Sequence, residues 1–195
     1  NAKLKNKISF LGIQKAGIAD KSDEILFGNF TNFSIIKMAW FCIFDFYDEK
    51  GMMMTIVTDF LMVHDKRRIA IITLNRPDAL NALNLEMVAA IQACLDKWAI
   101  DDSVAAVLLC GAADKAFCAG GDIRGLYHGY NPKIFPNPTA KAFFSTEYAL
   151  CKQIKSYTKP IIVWADGIVM GGGMGLAVAS SHRIVTQTTM MAMPG

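Results

Sequence analysis

Short apolar segments alternate with helical ones from residue 68 onward, and this order constrains the fold more than any other feature. RIAIITL at 68–74 and VAAVLLC at 104–110 have the length and near-continuous apolar character of strands buried on both faces. Between them, Asn84 can cap a helix that runs to about residue 100 and has apolar positions at helical spacing, namely Met87, Ile91, Leu95 and Trp98. A helix that connects two strands favours parallel pairing, so the sequence predicts the α/β class.

The same alternation continues toward the end of the sequence. A proline-rich loop at 131–138 is followed by a predicted helix at 139–156, a strand at 160–164, a helix at 171–181 and a strand at 183–186. Strands of this kind, connected through helices, can form one mainly parallel sheet with helices packed on it. We therefore expect the chain from residue 52 to 195 to belong to a single domain.

The overall composition is that of a globular protein with enough apolar residues for a core. Of the 195 residues, 53% are hydrophobic and 19% are charged. The formal net charge of +3 is too small to indicate nucleic acid or a membrane as a partner. Five scattered cysteines, odd in number and without metal-ligand spacing, favour reduced thiols in a cytoplasmic compartment and give no indication of a metal site.

Residues 1–51 differ from the rest of the sequence. They show no sustained helical or strand period, and they contain lysines and acidic residues but no arginine. A mitochondrial transit peptide is typically rich in arginine and poor in acidic residues, so this segment does not match one. We expect an atypical extension at 1–51, with the natural start at Met52, Met53 or Met54. A cytoplasmic location is expected, and the mitochondrial matrix stays open as an alternative.

Two glycine-rich segments lie between the apolar runs, AFCAGGDIR at 116–124 and GIVMGGGMG at 167–175. Glycine-rich turns let backbone N–H groups approach a ligand, and the first N–H groups of the helix predicted after the second turn have no intrahelical acceptor. Two such turns can present N–H groups to one developing negative charge, as an oxyanion hole requires. The alternative is that the glycines serve only tight turns and close helix packing. Their spacing does not match the dinucleotide-binding fingerprint.

Further short motifs accompany the two glycine-rich segments. They are LNRP at 74–77, NAL at 81–83, FFSTEY at 143–148, KP at 159–160 and AMP at 192–194. With these motifs, the sequence from about residue 68 to 194 resembles the crotonase (enoyl-CoA hydratase/isomerase) superfamily, and within it the 3-hydroxyisobutyryl-CoA hydrolases most closely. The resemblance implies a partial acyl-CoA domain at 52–195. Its expected fold is a crotonase-type spiral of β-β-α units, incomplete because the C-terminal helical part is missing, and a homo-oligomer stays open for the full-length parent.

The resemblance also implies roles for individual residues. The backbone N–H groups of Gly121 and Gly172 would donate hydrogen bonds to the thioester carbonyl of an acyl-CoA. Backbone groups of Ala119 and Gly120 would receive the adenine of coenzyme A, and Glu147 would contact a hydroxyl of the acyl group. The alternative for Glu147 is a solvated glutamate on a helix surface.

The implied reaction is hydrolysis of a short β-hydroxyacyl-CoA thioester, most specifically 3-hydroxyisobutyryl-CoA in valine breakdown. Such a reaction needs no metal or redox cofactor, because coenzyme A is part of the substrate. The acyl-CoA thioester is the expected partner.

Two positions depart from the family pattern in ways that affect the expected activity. Gly175 stands where enoyl-CoA hydratases carry a catalytic glutamate, which argues against hydration because that reaction needs two carboxylates to hold and activate water. Gly195 stands where the hydrolases carry the glutamate of an MPE motif, which leaves the activity of this chain open. Two alternatives follow: a non-catalytic acyl-CoA-binding protein, and another crotonase reaction such as enoyl-CoA isomerisation.

Other side chains near these motifs are weaker candidates. Cys118 could attack a thioester, but without an identifiable base it is better explained as a small buried hydrophobic residue. Asp122 is better explained by fixing the turn than by chemistry. The remaining candidates are side chains for coenzyme A phosphates or for solvated surface positions, namely Arg124, His128, Lys133 and His182.

Overall fold

The computed structural model of the chain describes residues 54–63, 66–129 and 133–193. The predicted extension at 1–51, the proposed start positions Met52 and Met53, and Gly195 lie outside the described residues.

The described residues form eight strands and four α-helices. The strands are β1 (Ile56–Met62), β2 (Arg68–Leu74), β3 (Val104–Gly111), β4 (Ala116–Cys118), β5 (Ile161–Ala165), β6 (Ile168–Met170), β7 (His182–Val185) and β8 (Met190–Ala192). The helices are α1 (Leu85–Ala99), α2 (Ile123–His128), α3 (Pro138–Lys155) and α4 (Gly172–Ala179), and a 3-10 turn covers Pro77–Ala79. None of the helices in this part of the chain is long and apolar enough to cross a membrane.

The strands form two sheets. The larger sheet has the order β1-β2-β3-β5-β7, with β1 antiparallel to β2 and the other neighbours parallel. The smaller sheet has the order β4-β6-β8 and is parallel throughout. From β3 onward, the strands come in consecutive pairs along the chain, and the first strand of each pair joins the larger sheet while the second joins the smaller one. Helices follow the first two of these pairs. The predicted α/β class and the β-β-α spiral are confirmed.

The sequence did not predict some of the short elements. It misses β1, the three-residue strands β4, β6 and β8, and the helix α2. A strand of three residues is too short to show a hydrophobic period, which explains the omission of β4, β6 and β8. The apolar run of β1 is interrupted by Asp59, and α2 has only six residues. The predicted loop at 131–138 is confirmed for the described residues 133–137, and α3 begins at Pro138, with Asn137 capping it through the N–H groups of Thr139 and Ala140. Helix α2, capped by Asp122, lies before that loop. Helix α4 ends at Ala179, earlier than predicted, because Ser180 has an extended backbone.

Helix packing brings α3 and α4 together over the smaller sheet. Helix α1 packs on β1 and β2, α3 packs on α1 and α4, and α4 packs on β4, β5 and β6. As predicted, Asn84 caps α1, and its side chain accepts from the Met87 N–H at 2.8 Å. At the other end of α1, Lys159 Nζ donates to the carbonyl groups of Trp98 and Asp101, both at 2.6 Å. These contacts hold α1 in place as the support for α3.

Candidate active site

The first glycine-rich loop follows β4 and is bound to the turn before α1. The Leu83 N–H donates to the Gly120 carbonyl at 2.7 Å, and the Asp122 N–H donates to the Leu83 carbonyl at 2.8 Å. These two bonds occupy the Gly120 carbonyl and the Asp122 N–H, which flank Gly121 in the chain. The Gly121 N–H itself has no hydrogen-bond acceptor among the described residues. Gly120 has φ +114°, a conformation that side-chain-bearing residues rarely adopt. The loop therefore leaves one backbone donor available next to an obligatory glycine.

An ion pair and a buried amide fix this loop. Arg76 contacts Asp122 at 2.7 Å and also donates to the Ala82 carbonyl at 2.6 Å. The Asn81 side chain is almost fully buried and donates to the carbonyl groups at both ends of the turn between β3 and β4, Ala112 at 2.9 Å and Ala116 at 2.8 Å. Sequence reasoning gave Arg76 and Asn81 no role, although both lie in the LNRP and NAL motifs. Their positions in those motifs were the available signal.

Asp122 fixes the turn, as the sequence predicts. Its carboxylate accepts from the Gly125 N–H at 3.0 Å, which caps α2, and it pairs with Arg76. The Gly125 hydrogen bond, followed by the Arg76 bond and charge, lowers the pKa of Asp122. A carboxylate held in this way is a structural group and is poorly suited to accept a proton.

The second glycine-rich loop precedes α4, and the structure brings it against the first. Gly171 has φ +48° and no side chain to cap the helix, so the Gly172 N–H at the first helical position has no acceptor among the described residues. A Cβ built on Gly120 would lie 3.6 Å from Gly171 Cα and 3.7 Å from Gly172 N. The two glycine-rich loops therefore lie against each other. The oxyanion role of Gly121 and Gly172 stays a prediction.

The inner face of α3 covers both loops. A Cβ on Gly121 would lie 3.0 Å from the Phe143 ring, and a Cβ on Gly172 would collide with Glu147 Oε1. Phe143 and Glu147 are four residues apart and are both buried. The same helix face therefore places an aromatic ring over one loop and a carboxyl group over the other.

Glu147 is a buried carboxyl group without a hydrogen-bond partner among the described residues. It is only 6% exposed, which excludes the alternative of a solvated helix glutamate. Burial raises its pKa, because the charged form loses hydration. A signal for this burial is present in the sequence, since residue 147 lies in the same helical stripe as the apolar Phe143, Leu150 and Ile154. A polar group that is buried without a partner in the protein indicates a ligand position.

Cys118 is not a nucleophile in this structure. The side chain is fully buried, and burial raises the pKa of its thiol to about 12, so the reactive thiolate is suppressed. A Cβ on Gly173 would collide with the backbone of Cys118, which shows how closely α4 packs on β4. The prediction of a small buried hydrophobic residue at 118 is confirmed, and close packing alone accounts for Gly173.

The positions expected to hold coenzyme A are only partly open. The Ala119 N–H donates to the Leu80 carbonyl at 3.0 Å, the Gly120 N–H donates to Cys118 Sγ at 3.5 Å, and the Gly120 carbonyl accepts from the Leu83 N–H. The carbonyl of Ala119 is therefore the group at these two positions that remains for an adenine. Four more distant candidates have exposed side chains, namely Arg124, His128, Lys133 and His182.

A surface cavity of about 340 Å³ lies beside the first loop. Its lining includes Leu80 and Ala116, but neither of the two available N–H donors nor Glu147. In the described part of the chain, no cluster of three or more His, Cys, Asp or Glu side chains could hold a metal ion.

Comparison with known proteins gives the family. The family model described as enoyl-CoA hydratase/isomerase matches residues 69–195. The chain belongs to the enoyl-CoA hydratase/isomerase family. Among its relatives is a 3-hydroxyisobutyryl-CoA hydrolase, mitochondrial, from Danio rerio, which is 45% identical over 64% of this chain and 32% of the relative. The protein of the same name from Homo sapiens is 40% identical over 69% of this chain and 34% of the relative.

Solved structures of the family agree with this assignment. A carnitinyl-CoA dehydratase from Mycobacterium thermoresistibile superposes with a TM-score of 0.64 at 41% identity, over 72% of this chain and 39% of that one. An enoyl-CoA hydratase from Bacillus anthracis superposes with a TM-score of 0.63 at 27% identity, over 72% of this chain and 50% of that one. This family member spans about a third of the length of the curated relatives it matches.

Proposed function

We propose that the protein takes part in hydrolysis of a short β-hydroxyacyl-CoA thioester, most specifically 3-hydroxyisobutyryl-CoA to 3-hydroxyisobutyrate and coenzyme A. The observation that carries the proposal is the placement of Glu147, buried against Gly172 where the two glycine-rich loops converge. Two backbone donors and one buried carboxyl group match a thioester carbonyl with a hydroxyl on the acyl chain.

In this proposal the thioester oxygen accepts hydrogen bonds from the Gly121 and Gly172 N–H groups. When water adds to the carbonyl carbon, this oxygen becomes negatively charged, and the positive end of α4 adds to its stabilisation. Collapse of the intermediate breaks the carbon–sulfur bond and releases the acid and the coenzyme A thiol. Loss of one such donor typically lowers the rate by about 10²–10³-fold.

Glu147 would receive the hydroxyl of the acyl group. The carboxyl group lies in an apolar environment without a protein partner, so a substrate hydroxyl supplies the hydrogen bond that burial removed. A site built to bind a hydroxyl discriminates against an analogue that lacks it, because the buried polar group is then left without a partner. Activation of the attacking water is assigned to no described residue, since Asp122 is bound to Arg76 and Gly125.

The relatives named 3-hydroxyisobutyryl-CoA hydrolase support the choice of substrate, and the word mitochondrial in their names favours the mitochondrial alternative over the cytoplasmic one. A role in valine breakdown follows from the same substrate. These statements are proposals for the whole protein, because the matched region is about a third of those relatives.

The test compares 3-hydroxyisobutyryl-CoA with isobutyryl-CoA, which lacks the hydroxyl. Release of the coenzyme A thiol and the Kd of each thioester are measured for the wild type, Glu147→Leu and Glu147→Gln. We expect the wild type to prefer the hydroxylated thioester by about 10- to 100-fold, from the value of a hydrogen bond to a charged group. Glu147→Leu should abolish that preference, whereas Glu147→Gln should keep a smaller preference of about 2- to 10-fold, because the neutral amide can still hydrogen-bond the hydroxyl.

The matched control is Glu86→Leu, which changes an exposed glutamate in the first turn of α1. It should leave the preference unchanged. Equal binding of the two thioesters by the wild type would refute hydroxyl recognition by Glu147. Tight binding of both thioesters without thiol release would instead identify an acyl-CoA-binding protein.

One observation favours a second candidate reaction. A buried carboxyl group with a raised pKa beside an oxyanion donor can also move a proton on the acyl chain, as double-bond isomerisation requires. In that case the α-carbon of an enoyl-CoA would exchange its protons with deuterated water without thiol release. Both Glu147→Gln and Glu147→Leu would stop the exchange, which separates this role from hydroxyl recognition.

A further inference from the structure

One more side chain of α3 lies against a glycine of α4. Cys151 is one helical turn beyond Glu147 on the same face, and its sulfur lies 3.3 Å from the position that a Cβ on Gly175 would take. This distance is shorter than a comfortable carbon–sulfur contact. The thiol therefore occupies the space that a side chain at position 175 would need.

Cys151 also lies near Glu147, whose charge acts on its thiol. Cys151 is half-buried, and burial followed by the charge of Glu147 raises the pKa of its thiol to about 11. At neutral pH the thiol is consequently uncharged and weakly polar, and it acts as a packing group rather than as a nucleophile. The independent indication of a ligand here is Glu147, a carboxyl group that is more than nine-tenths buried, has no hydrogen-bond partner among the described residues and lies against Gly172.

We propose that Cys151 determines the length of acyl group that the site accepts, by closing the space between α3 and α4 beyond Glu147. This inference rests on the proposed function, because it takes the acyl group to extend from the donors at Gly121 and Gly172. A side chain at residue 151 larger than cysteine would shorten the space. A smaller one would lengthen it.

The experiment measures the Kd of butyryl-CoA, hexanoyl-CoA and free coenzyme A by titration calorimetry on the intact chain. The variants are Cys151→Ala and Cys151→Leu. Cys94→Ala is the matched control, because Cys94 is also a half-buried thiol on a helix but contacts none of the site glycines. Thermal unfolding followed by circular dichroism checks that each variant is folded.

We expect the wild type to bind hexanoyl-CoA no more tightly than butyryl-CoA. Cys151→Ala should improve hexanoyl-CoA relative to butyryl-CoA by about tenfold, the smaller end of the range for one methylene in a fitted pocket. Cys151→Leu should weaken both thioesters by at least about tenfold, with free coenzyme A unchanged. Cys94→Ala should match the wild type for all three ligands.

A second test uses the contact between residues 151 and 175. Gly175→Ala should weaken butyryl-CoA several-fold in the wild type, because the new methyl group displaces the thiol. In the Cys151→Ala background the same change should have little effect, since the space is then free. Equal losses in both backgrounds would contradict a shared space.

The outcomes separate the inference from the function on which it rests. If the Cys151 variants bind acyl-CoA with the same ratio of hexanoyl to butyryl affinity as the wild type, the inference is overturned while the proposed function stands. If the wild type binds neither these two thioesters nor 3-hydroxyisobutyryl-CoA, both are overturned. If the length preference changes as expected without any thiol release, the inference stands and the hydrolase assignment is overturned.

Discussion

Substitution of Gly172 by alanine perturbs the point where the candidate donors and Glu147 meet. The added methyl group would collide with Glu147 Oε1 and would lie 3.1 Å from the Glu147 carboxyl carbon and 3.2 Å from Leu83 Cδ1. The end of the glutamate side chain can rotate away, whereas Leu83 is fully buried and has little freedom to move. The carboxyl group is therefore the part that is displaced.

The expected loss of stability is small. Overpacking of this kind costs about 1–3 kcal/mol. Replacement of a helical glycine by alanine returns about 0.5–1 kcal/mol, because the unfolded chain loses freedom. The free energy of unfolding should fall by about 0–2.5 kcal/mol, which leaves a folded protein. The loss of function should be larger, because the displaced carboxyl group enters the space of the acyl group.

The assay pairs urea unfolding with the Kd of 3-hydroxyisobutyryl-CoA and, where thiol release is measurable, with the turnover rate. We expect Gly172→Ala to weaken binding by at least about tenfold and to lower turnover by a similar factor, because the displaced carboxyl group loses its hydrogen bond to the substrate while alanine keeps the backbone N–H. The matched control is Gly125→Ala in α2, whose added Cβ would lie at an ordinary 3.4 Å from the Asp122 carboxyl carbon. A folded Gly172→Ala protein with wild-type affinity and turnover would refute the assignment of this loop.

Two further predictions concern stability. Asn81→Ala should lower the free energy of unfolding by about 2–3 kcal/mol, because the carbonyl groups of Ala112 and Ala116 lose their shared donor in a buried position. Urea unfolding measures this loss. A loss below about 0.5 kcal/mol would contradict the role of Asn81 as the support of the first loop. The raised pKa of Glu147 means that the folded state holds a proton more tightly than the unfolded state, so this group should lower stability as the pH rises above the ordinary carboxyl range. The free energy of unfolding of the wild type should therefore fall relative to that of Glu147→Gln between pH 4 and pH 8, and parallel curves would contradict the burial of a titrating carboxyl group.

Long elements with a clear period were predictable from the sequence. The strand at 68–74 and the helix capped by Asn84 were found close to their observed bounds, because the first has a near-continuous apolar run and the second a clear helical stripe. β4, β6 and β8 were not found, since three residues cannot show a period and these strands exist only through their neighbours in the smaller sheet. The two glycine-rich segments were recognised as loops, and their contact with each other was only an expectation.

The sequence by itself determined the α/β class, the two glycine-rich loops and the presence of a glutamate in an apolar helical stripe, because each of these is a property of residues close together in the chain. Only the tertiary structure decided that Arg76 and Asn81 support the first loop and that Phe143, Glu147 and Cys151 cover the glycines. These contacts join residues that are distant along the chain, and those of Glu147 and Cys151 depend on how α3 packs on α4. That packing determines whether a side chain such as Glu147 is exposed to water or buried. Burial in turn changes the pKa of the carboxyl group and the chemistry available to it.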